Sequence, residues 1–547
     1  MNSTSSSNLA DSPLSSADPP ASARRRTRTT KSTSSTHITQ KCCLCLVAVV
    51  VITSLIFTIY MTHTASSNKS NDHLYIPTSL RKSQQQQRQS TTSTTTTEPH
   101  LHLVFSTDCS PYQHWQSYVL YYSAVQVRQK GTITRIISGC DDTQMQDMIA
   151  WHQQNVLPLT KEPKKFTLHF TPNYDHPILQ SYVFVNKPFG LLHYFENYNP
   201  DKDEHGFSTE ARHIQRSHNQ SLQLNPNDII AVIDPDMMFL KPLTHDFTPS
   251  QSFQPVYAPG NEPTDNNSIT VVQHGHPFSA RYSVGDPWRQ FNLPYITGSD
   301  TTPALNFTSE EAIAHFQVGS PYIATMKDMH AITPTWLVAV HKVREEYQEH
   351  ISEMYSYIIG AAHANLPHVV LQGFIISGDD SGEEVPTEGW SFLPEVPPSQ
   401  VCTFGEEAYK LNAIDVCNLD ETSWKCQALK KLPNFLHFCQ GYNVGNWFWG
   451  KHNFPKDYFT CESPLMATPP SNLGSDYADY RLEPGQSRSA EIPINSFEKT
   501  RNAFVICAMS KVLQEAAEYY KTHSCAFQKS NLEKTLNLYE ILTPSEE

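Results

Sequence analysis

Asp234 and Asp236, separated by Pro235, directly follow the apolar run "DIIAVI" at residues 228–233. Two carboxylates two positions apart at a strand end can both reach one hard cation. Oxygen donors of this kind suit Mg2+ or Mn2+, ions that keep coordination positions open for substrate phosphates. Such an ion would neutralise the diphosphate of a nucleotide-sugar and help it leave. Pro235 stiffens the turn by fixing φ. Asp-x-Asp by itself is frequent, and Asp201-Lys202-Asp203 repeats the spacing in "ENYNPDKDEHG", a polar stretch with no strand before it. Only the second pair follows a buried strand, and from context alone a metal site and an acidic turn both remain open. Among 25 histidines, His437 in "PNFLHFCQGY" is the best third ligand, set in a short apolar segment before a glycine turn. A hydrogen-bonded core histidine is the competing reading. HExxH, P-loop, GxSxG and strand-linked GxGxxG patterns are absent.

The elements that must position these residues alternate between strand and helix. "HLVFSTDCS", "TITRIISGC" (132–140), "FTLHF" (166–170) and "DIIAVI" read as strands, the last apolar on both faces as in the middle of a sheet. Trp115, Tyr118, Val119 and Tyr122 recur at helical spacing, and "KPFGLLHYFENY" (187–198) opens with Pro near a first helical turn. The pattern predicts an α/β fold with a mixed, mostly parallel central sheet. "SFQPVYAPGNEPTDNNS" reads as a long loop. Residues 334–366 read as two helices, the second amphipathic, and a last amphipathic helix covers roughly 497–522.

The chain is 547 residues long with a formal net charge of -14, which argues against a nucleic-acid partner. Residues 1–41 are rich in Ser, Thr and Pro, with Arg24, Arg25, Arg26, Arg28, Lys31 and Lys41 against Asp11 and Asp18. Residues 42–61, "CCLCLVAVVVITSLIFTIYM", carry no charge and are long enough as a helix to cross a bilayer. The basic flank precedes them, so a single N-terminal transmembrane signal-anchor is expected, with the short tail cytoplasmic and all that follows lumenal. Residues 62–100 are polar and low in complexity and read as a flexible stem. Nine cysteines follow the anchor: disulfides are expected in that compartment, and the odd number leaves at least one unpaired. Sequons at Asn68, Asn219, Asn266 and Asn306 are compatible with it.

Seven blocks in order resemble the plant and algal family of hydroxyproline O-arabinosyltransferases and, more distantly, the peptidyl serine α-galactosyltransferases. They are "FSTDCSPYQHWQ", "YVFVNKPFGLLHYFE", "IDPDMMFLKPL", "GSPYIATMKDMHAITPTW" (with Thr333 where the family carries Ala), "EMYSY", "FLHFCQGY" and "NWFWGKHNF". The resemblance runs from about 101 to 485. It implies a Golgi or ER type II enzyme with a GT-A-like, Rossmann-like fold, using a UDP-sugar and a divalent cation, Mn2+ or Mg2+. The sugar passes, with retention of configuration, to a hydroxyl of a secreted or cell-wall protein. Arabinose onto hydroxyproline is the first expectation, galactose onto serine the second, and a catalytically inactive lectin-like or scaffolding descendant a third of another class.

Carried over by residue, the resemblance makes Asp234, Asp236 and His437 the metal ligands. Thr107 and Asp108 would approach the uridine, and Lys187 and Lys451 the phosphates. Glu353 would contact acceptor or sugar. Trp336 and Trp447 are candidate sugar or peptide walls, with core packing the competing role. The family carries Glu-Pro-Asp where this chain has Asp-Pro-Asp, and inserts around 200–220 and 250–300 are not the family's. The implied organisation is a tail (1–41), an anchor (42–61), a stem (62–100), a glycosyltransferase domain (101–485) and a C-terminal helical extension (486–547).

Overall fold

The apolar run before Asp-Pro-Asp forms β5 (Ile229–Ile233), a strand buried along its whole length. Ile229, Ala231 and Ile233 enter one hydrophobic core, while Ile230 and Val232 enter a second on the opposite face. Alternate side chains of a strand point to opposite faces, so a strand apolar at every position belongs between two layers. Burying each branched side chain stabilises the fold by about 1.5–3 kcal/mol.

The computed structural model describes residues 98–538 apart from 163, 175–181, 198–206, 209–223, 249–254, 256–268, 350, 379–388, 483–490, 526–530 and 533. The tail, the expected anchor at 42–61, nearly all of the stem and Asp201-Lys202-Asp203 lie outside these residues. So does the expected loop at 252–268, Pro255 excepted. Among the described residues no helix is long and apolar enough to cross a membrane.

Five further strands precede or follow β5 in the main sheet's first part and its return: β1 (Leu101–Asp108), β2 (Thr132–Ser138), β3 (Phe166–Thr171), β4 (Phe207–Ser208) and β8 (Val318–Thr325). With β7 (Phe278–Arg281) and β9 (Val369–Leu371) they complete an eight-stranded sheet in the order β4-β3-β2-β1-β5-β8-β7-β9. β4 to β5 run parallel, β8 is antiparallel to both β5 and β7, and β7 is parallel to β9. The expected mixed, mostly parallel sheet is present. From β1 the chain steps outward to β4 and then returns to the other side of β1 as β5. Ligands in open α/β sheets bind where the strand order reverses in this way, beyond the carboxyl ends. Asp108 ends β1 there and Asp234 follows β5.

Helices cover both faces. α1 (Tyr112–Gln126) lies on the first core; α2 (Asn186–Asn197), α3 (Met326–Glu346) and α4 (Ser352–His363) lie on the second. The helix expected from residue 334 begins two turns earlier, at an N-cap where the Thr325 side chain accepts from Asp328 N at 3.2 Å. Pro334 sits inside this helix, so a proline that reads as a helix start is here an interior residue. α4 is buried on nearly all sides, not amphipathic. Gly360 allows α4 to close on α3, because a Cβ there would stand 3.0 Å from Trp336 N.

The last helix, α5 (Ser496–Ser524), departs from the amphipathic reading where every residue from Thr500 to Ser510 is buried, and follows it from Lys511 on, where only Val512, Leu513, Ala516, Ala517 and Lys521 are buried. It joins the first core together with β1 and α1. A stretch of helix buried all round must lie inside a domain, so α5 contributes to the same compact unit as the sheet. Disulfides Cys402–Cys507 and Cys461–Cys525 tie it to the preceding segment. Cys109–Cys140 links the ends of β1 and β2, Cys417–Cys426 closes a short loop, and Cys439 is the unpaired one.

Candidate metal centre

Beyond β5 the chain turns through Asp234-Pro235-Asp236 into β6 (Met237–Phe239), which leaves the main sheet. β6 pairs antiparallel with β11 (Phe435–His437), whose other neighbour is β10 (Ile375–Ile376), and Met237 stands opposite His437. The backbone adds Phe438 N–H donating to Asp236 O at 3.1 Å. This register brings His437 Nε2 to 3.3 Å from Asp236 Oδ1. One ligand atom from each of Asp234, Asp236 and His437 lies within 4.8 Å of the others, the set expected from the sequence. Two carboxylates and an imidazole suit Mn2+ or Mg2+, with oxygen donors in the majority, so these residues fit the implied ion.

Two lysines neutralise the carboxylates. Lys187, in the first turn of α2, reaches Asp234 Oδ1 at 2.8 Å and Glu353 Oε2 at 3.3 Å. Lys451 follows β13 (Trp447–Gly450), the second strand of a hairpin with β12 (Gly441–Val444), and reaches Asp236 Oδ2 at 2.5 Å. The hairpin is held by aromatic packing: Trp115 of α1 contacts Trp449, Phe438 and Phe454. Tyr112 O–H also donates to Lys451 O at 3.4 Å.

Burial works against ionisation of Asp236, yet the His437 and Lys451 charges outweigh it and hold the carboxyl well below the usual carboxylate range. His437 shows the converse. Burial pushes it down, but Asp236 and then Cys439 outweigh this and raise it well above the ordinary imidazole value. Burial raises the Glu353 carboxyl; Lys187 opposes that shift and Asp234 adds to it. Glu353 Oε1 is buried without a hydrogen-bond partner among the described residues.

The other expected residues divide. Asp108 Oδ1 accepts from Ser110 N at 2.8 Å and shapes the turn after β1. Thr107 is buried, its hydroxyl accepting from Arg135 Nε at 2.9 Å, so its side chain is engaged from within the sheet. Trp336 is fully buried, donates from Nε1 to Glu353 O at 3.2 Å, and packs edge-on to Tyr357. It is a core residue that anchors Glu353, not an exposed wall. Trp447 is partly buried on the hairpin.

Sequence reasoning missed two supports of the site. Tyr282 Oη lies 3.2 Å from His437 Nδ1, leaving Nε2 to face Asp236. Gly319 of β8 makes room for that ring, since a Cβ there would come 2.2 Å from Tyr282 Cδ2. Tyr182 Oη accepts from Glu353 N at 3.0 Å, and its ring lies 4.0 Å from the Arg344 guanidinium. Neither tyrosine is marked by spacing, because each is brought to the site by a different part of the fold.

No known protein-family profile matches the sequence. The chain is similar to the peptidyl serine alpha-galactosyltransferase of Arabidopsis thaliana, 24% identical over 289 residues. The match covers 50% of this chain and 28% of that protein, so it spans little more than a quarter of the relative's length. The relationship is to a glycosyltransferase, and nothing in it singles out the hydroxyproline arabinosyltransferases. Among solved structures, the apo WbbM bifunctional glycosyltransferase aligns over 63% of this chain and 47% of its own at 9% identity. Its TM-score is 0.27, too low to carry an argument.

Proposed function

We propose that this protein is a glycosyltransferase that moves a sugar from a UDP-sugar to a hydroxyl of a secreted or cell-wall protein, with retention of configuration. The observation that carries the proposal is the convergence of Asp234, Asp236 and His437 beside the point where the strand order reverses. A Mn2+ or Mg2+ ion held there supplies positive charge to the departing diphosphate. Lys187 and Lys451 stand on the same two carboxylates and are the cations that phosphates bound there would meet. Glu353 has one buried oxygen without a partner, and we assign it to a hydroxyl of the sugar or acceptor.

The relationship to a peptidyl serine alpha-galactosyltransferase favours galactose onto serine. The ordered motifs resembling the arabinosyltransferases support arabinose onto hydroxyproline as the second reading, with Asp234 in place of their Glu as the departure. We place the protein in the Golgi or ER membrane through residues 42–61, with the enzyme domain lumenal. Four disulfides among the described residues agree with an oxidising compartment.

The test is a panel of UDP-sugars with Mn2+ and with serine- or hydroxyproline-containing peptides, read by mass shift. A hexose on serine supports the first reading, and a pentose on hydroxyproline the second. Binding of UDP with Mn2+ but no transfer to any acceptor would favour an inactive, lectin-like descendant.

A further inference from the structure

The two lysines on the acidic pair are not equivalent. Lys187 has two carboxylates, Asp234 and Glu353, and keeps the second whatever happens at the first. Lys451 has one, Asp236, among the described residues. Lys187 stands on α2 and is packed into the second core's edge, whereas Lys451 occupies the short turn Lys451–Asn453 just past the hairpin. Its side chain keeps 19% of its surface accessible, against 12% for Lys187.

Asp236 is already fully engaged. His437 faces Oδ1 and Lys451 lies on Oδ2. A divalent cation bound by Asp234, Asp236 and His437 draws on the same carboxylate, and it repels an ammonium held at that distance. We infer that Lys451 and the divalent cation compete for Asp236, and that the diphosphate of the nucleotide resolves the competition by taking the Lys451 ammonium. The inference rests on the glycosyltransferase reading above and adds to it a statement about binding. Lys451 thereby adds a coupling between metal and nucleoside diphosphate beyond the direct attraction of the ion for the diphosphate. Lys187, anchored by Glu353, contributes little to that coupling.

Coupling of this kind is reciprocal: whatever factor UDP adds to Mn2+ affinity, Mn2+ adds to UDP affinity. Removing the Lys451 charge frees Asp236 for the ion and takes away the group that rewards the diphosphate. That share of the coupling is thereby lost, while the direct attraction between ion and diphosphate remains.

The experiment is a Mn2+ titration of the metal-stripped full-length protein, followed by electron paramagnetic resonance, with and without UDP. In the wild type UDP tightens Mn2+ binding by about tenfold or more, within the range usual for coupled ligands. Lys451→Met binds Mn2+ alone more tightly than the wild type, and the UDP enhancement falls about fivefold or more below the wild-type value, the lower end of the usual coupled range. Lys451→Arg, which restores the charge, restores the enhancement. Lys451→Gln provides the same comparison if Met at this position compromises folding, and thermal melting checks each variant. An undiminished UDP enhancement in folded Lys451→Met or Lys451→Gln overturns the exchange and leaves the glycosyltransferase reading standing. A wild type that binds neither Mn2+ nor UDP overturns both.

Discussion

His437 stands directly opposite Met237 in an antiparallel pair, and that register sets its Nε2 3.3 Å from Asp236 Oδ1. The candidate metal centre is therefore built on the pairing of two strands that are remote in the chain. Asp236 immediately precedes one of them and meets the charges of His437 and Lys451 at once.

Asp236→Asn removes the anion that both cations share. Mn2+ binding is expected to be lost, and with it UDP-sugar turnover. Breaking a buried pair by removing one partner costs up to about 3–5 kcal/mol, less to the extent that Lys451 finds water. Denaturant unfolding measures the stability, and full retention of turnover by the variant would remove Asp236 from the site.

Tyr282 orients His437 through Nδ1, so Tyr282→Phe is expected to weaken Mn2+ binding by about tenfold without unfolding the protein. Gly319→Ala reaches the same end by another route, because its Cβ would stand 2.2 Å from the Tyr282 ring. Equal Mn2+ affinity in the wild type and both variants would show that the tyrosine plays no part.

Burial lowers the pKa of His152, His169 and His368 to about 3. An unfolded histidine takes its proton near 6.5, about the ordinary value. Between pH 6.5 and about 3 the unfolded chain binds more protons, so stability is full above 6.5 and is lost as pH falls through this window. Each histidine contributes up to about 1.4 kcal/mol per pH unit. Melting temperature should drop between pH 7 and pH 5, and His152→Gln should flatten that drop. Asp236, held ionised in the fold, adds to the loss only near and below about pH 4, where the unfolded carboxyl takes its proton, and adds no slope between pH 7 and 5. A melting temperature constant from pH 7 to 5 contradicts the buried neutral histidines.

Of the nine cysteines after residue 62, Cys439 alone should react with iodoacetamide in the unreduced protein, as read by peptide mapping. Its thiol lies close enough to His437 to help raise that imidazole, so alkylation should also weaken Mn2+ binding, whereas Cys439→Ser should leave most of it. Label on any of the other eight would require a different pairing.

Cys402–Cys507 closes the longest of the four disulfide loops, 105 residues in sequence separation. Replacing both cysteines with Ser should lower stability by about 4–5 kcal/mol on the chain-entropy account. Denaturant unfolding under oxidising conditions reads the change, and a loss below that of a Cys417–Cys426 replacement would contradict the loop-length argument.

The local elements were legible in the sequence because they follow from local rules. Residues 229–233, "IIAVI", are apolar at every position, as a strand between two layers requires, and the acidic turn after them lies where such a strand ends. Helix faces were less legible. Pro334 reads as a beginning yet lies inside a helix, and the helix at 352–363 and residues 500–510 of the last helix are buried nearly all round. Periodicity reports a contrast between faces and cannot report how many neighbours pack against a helix. The residue types of the site, two aspartates, a histidine, two lysines and a glutamate, could be read in the chain. Their partnership could not, since no spacing relates Asp236 to His437, Lys451 to Asp236, or Lys187 to Glu353. Strand register and the return of β5 beside β1 decided it, because charges interact through space and not along the chain.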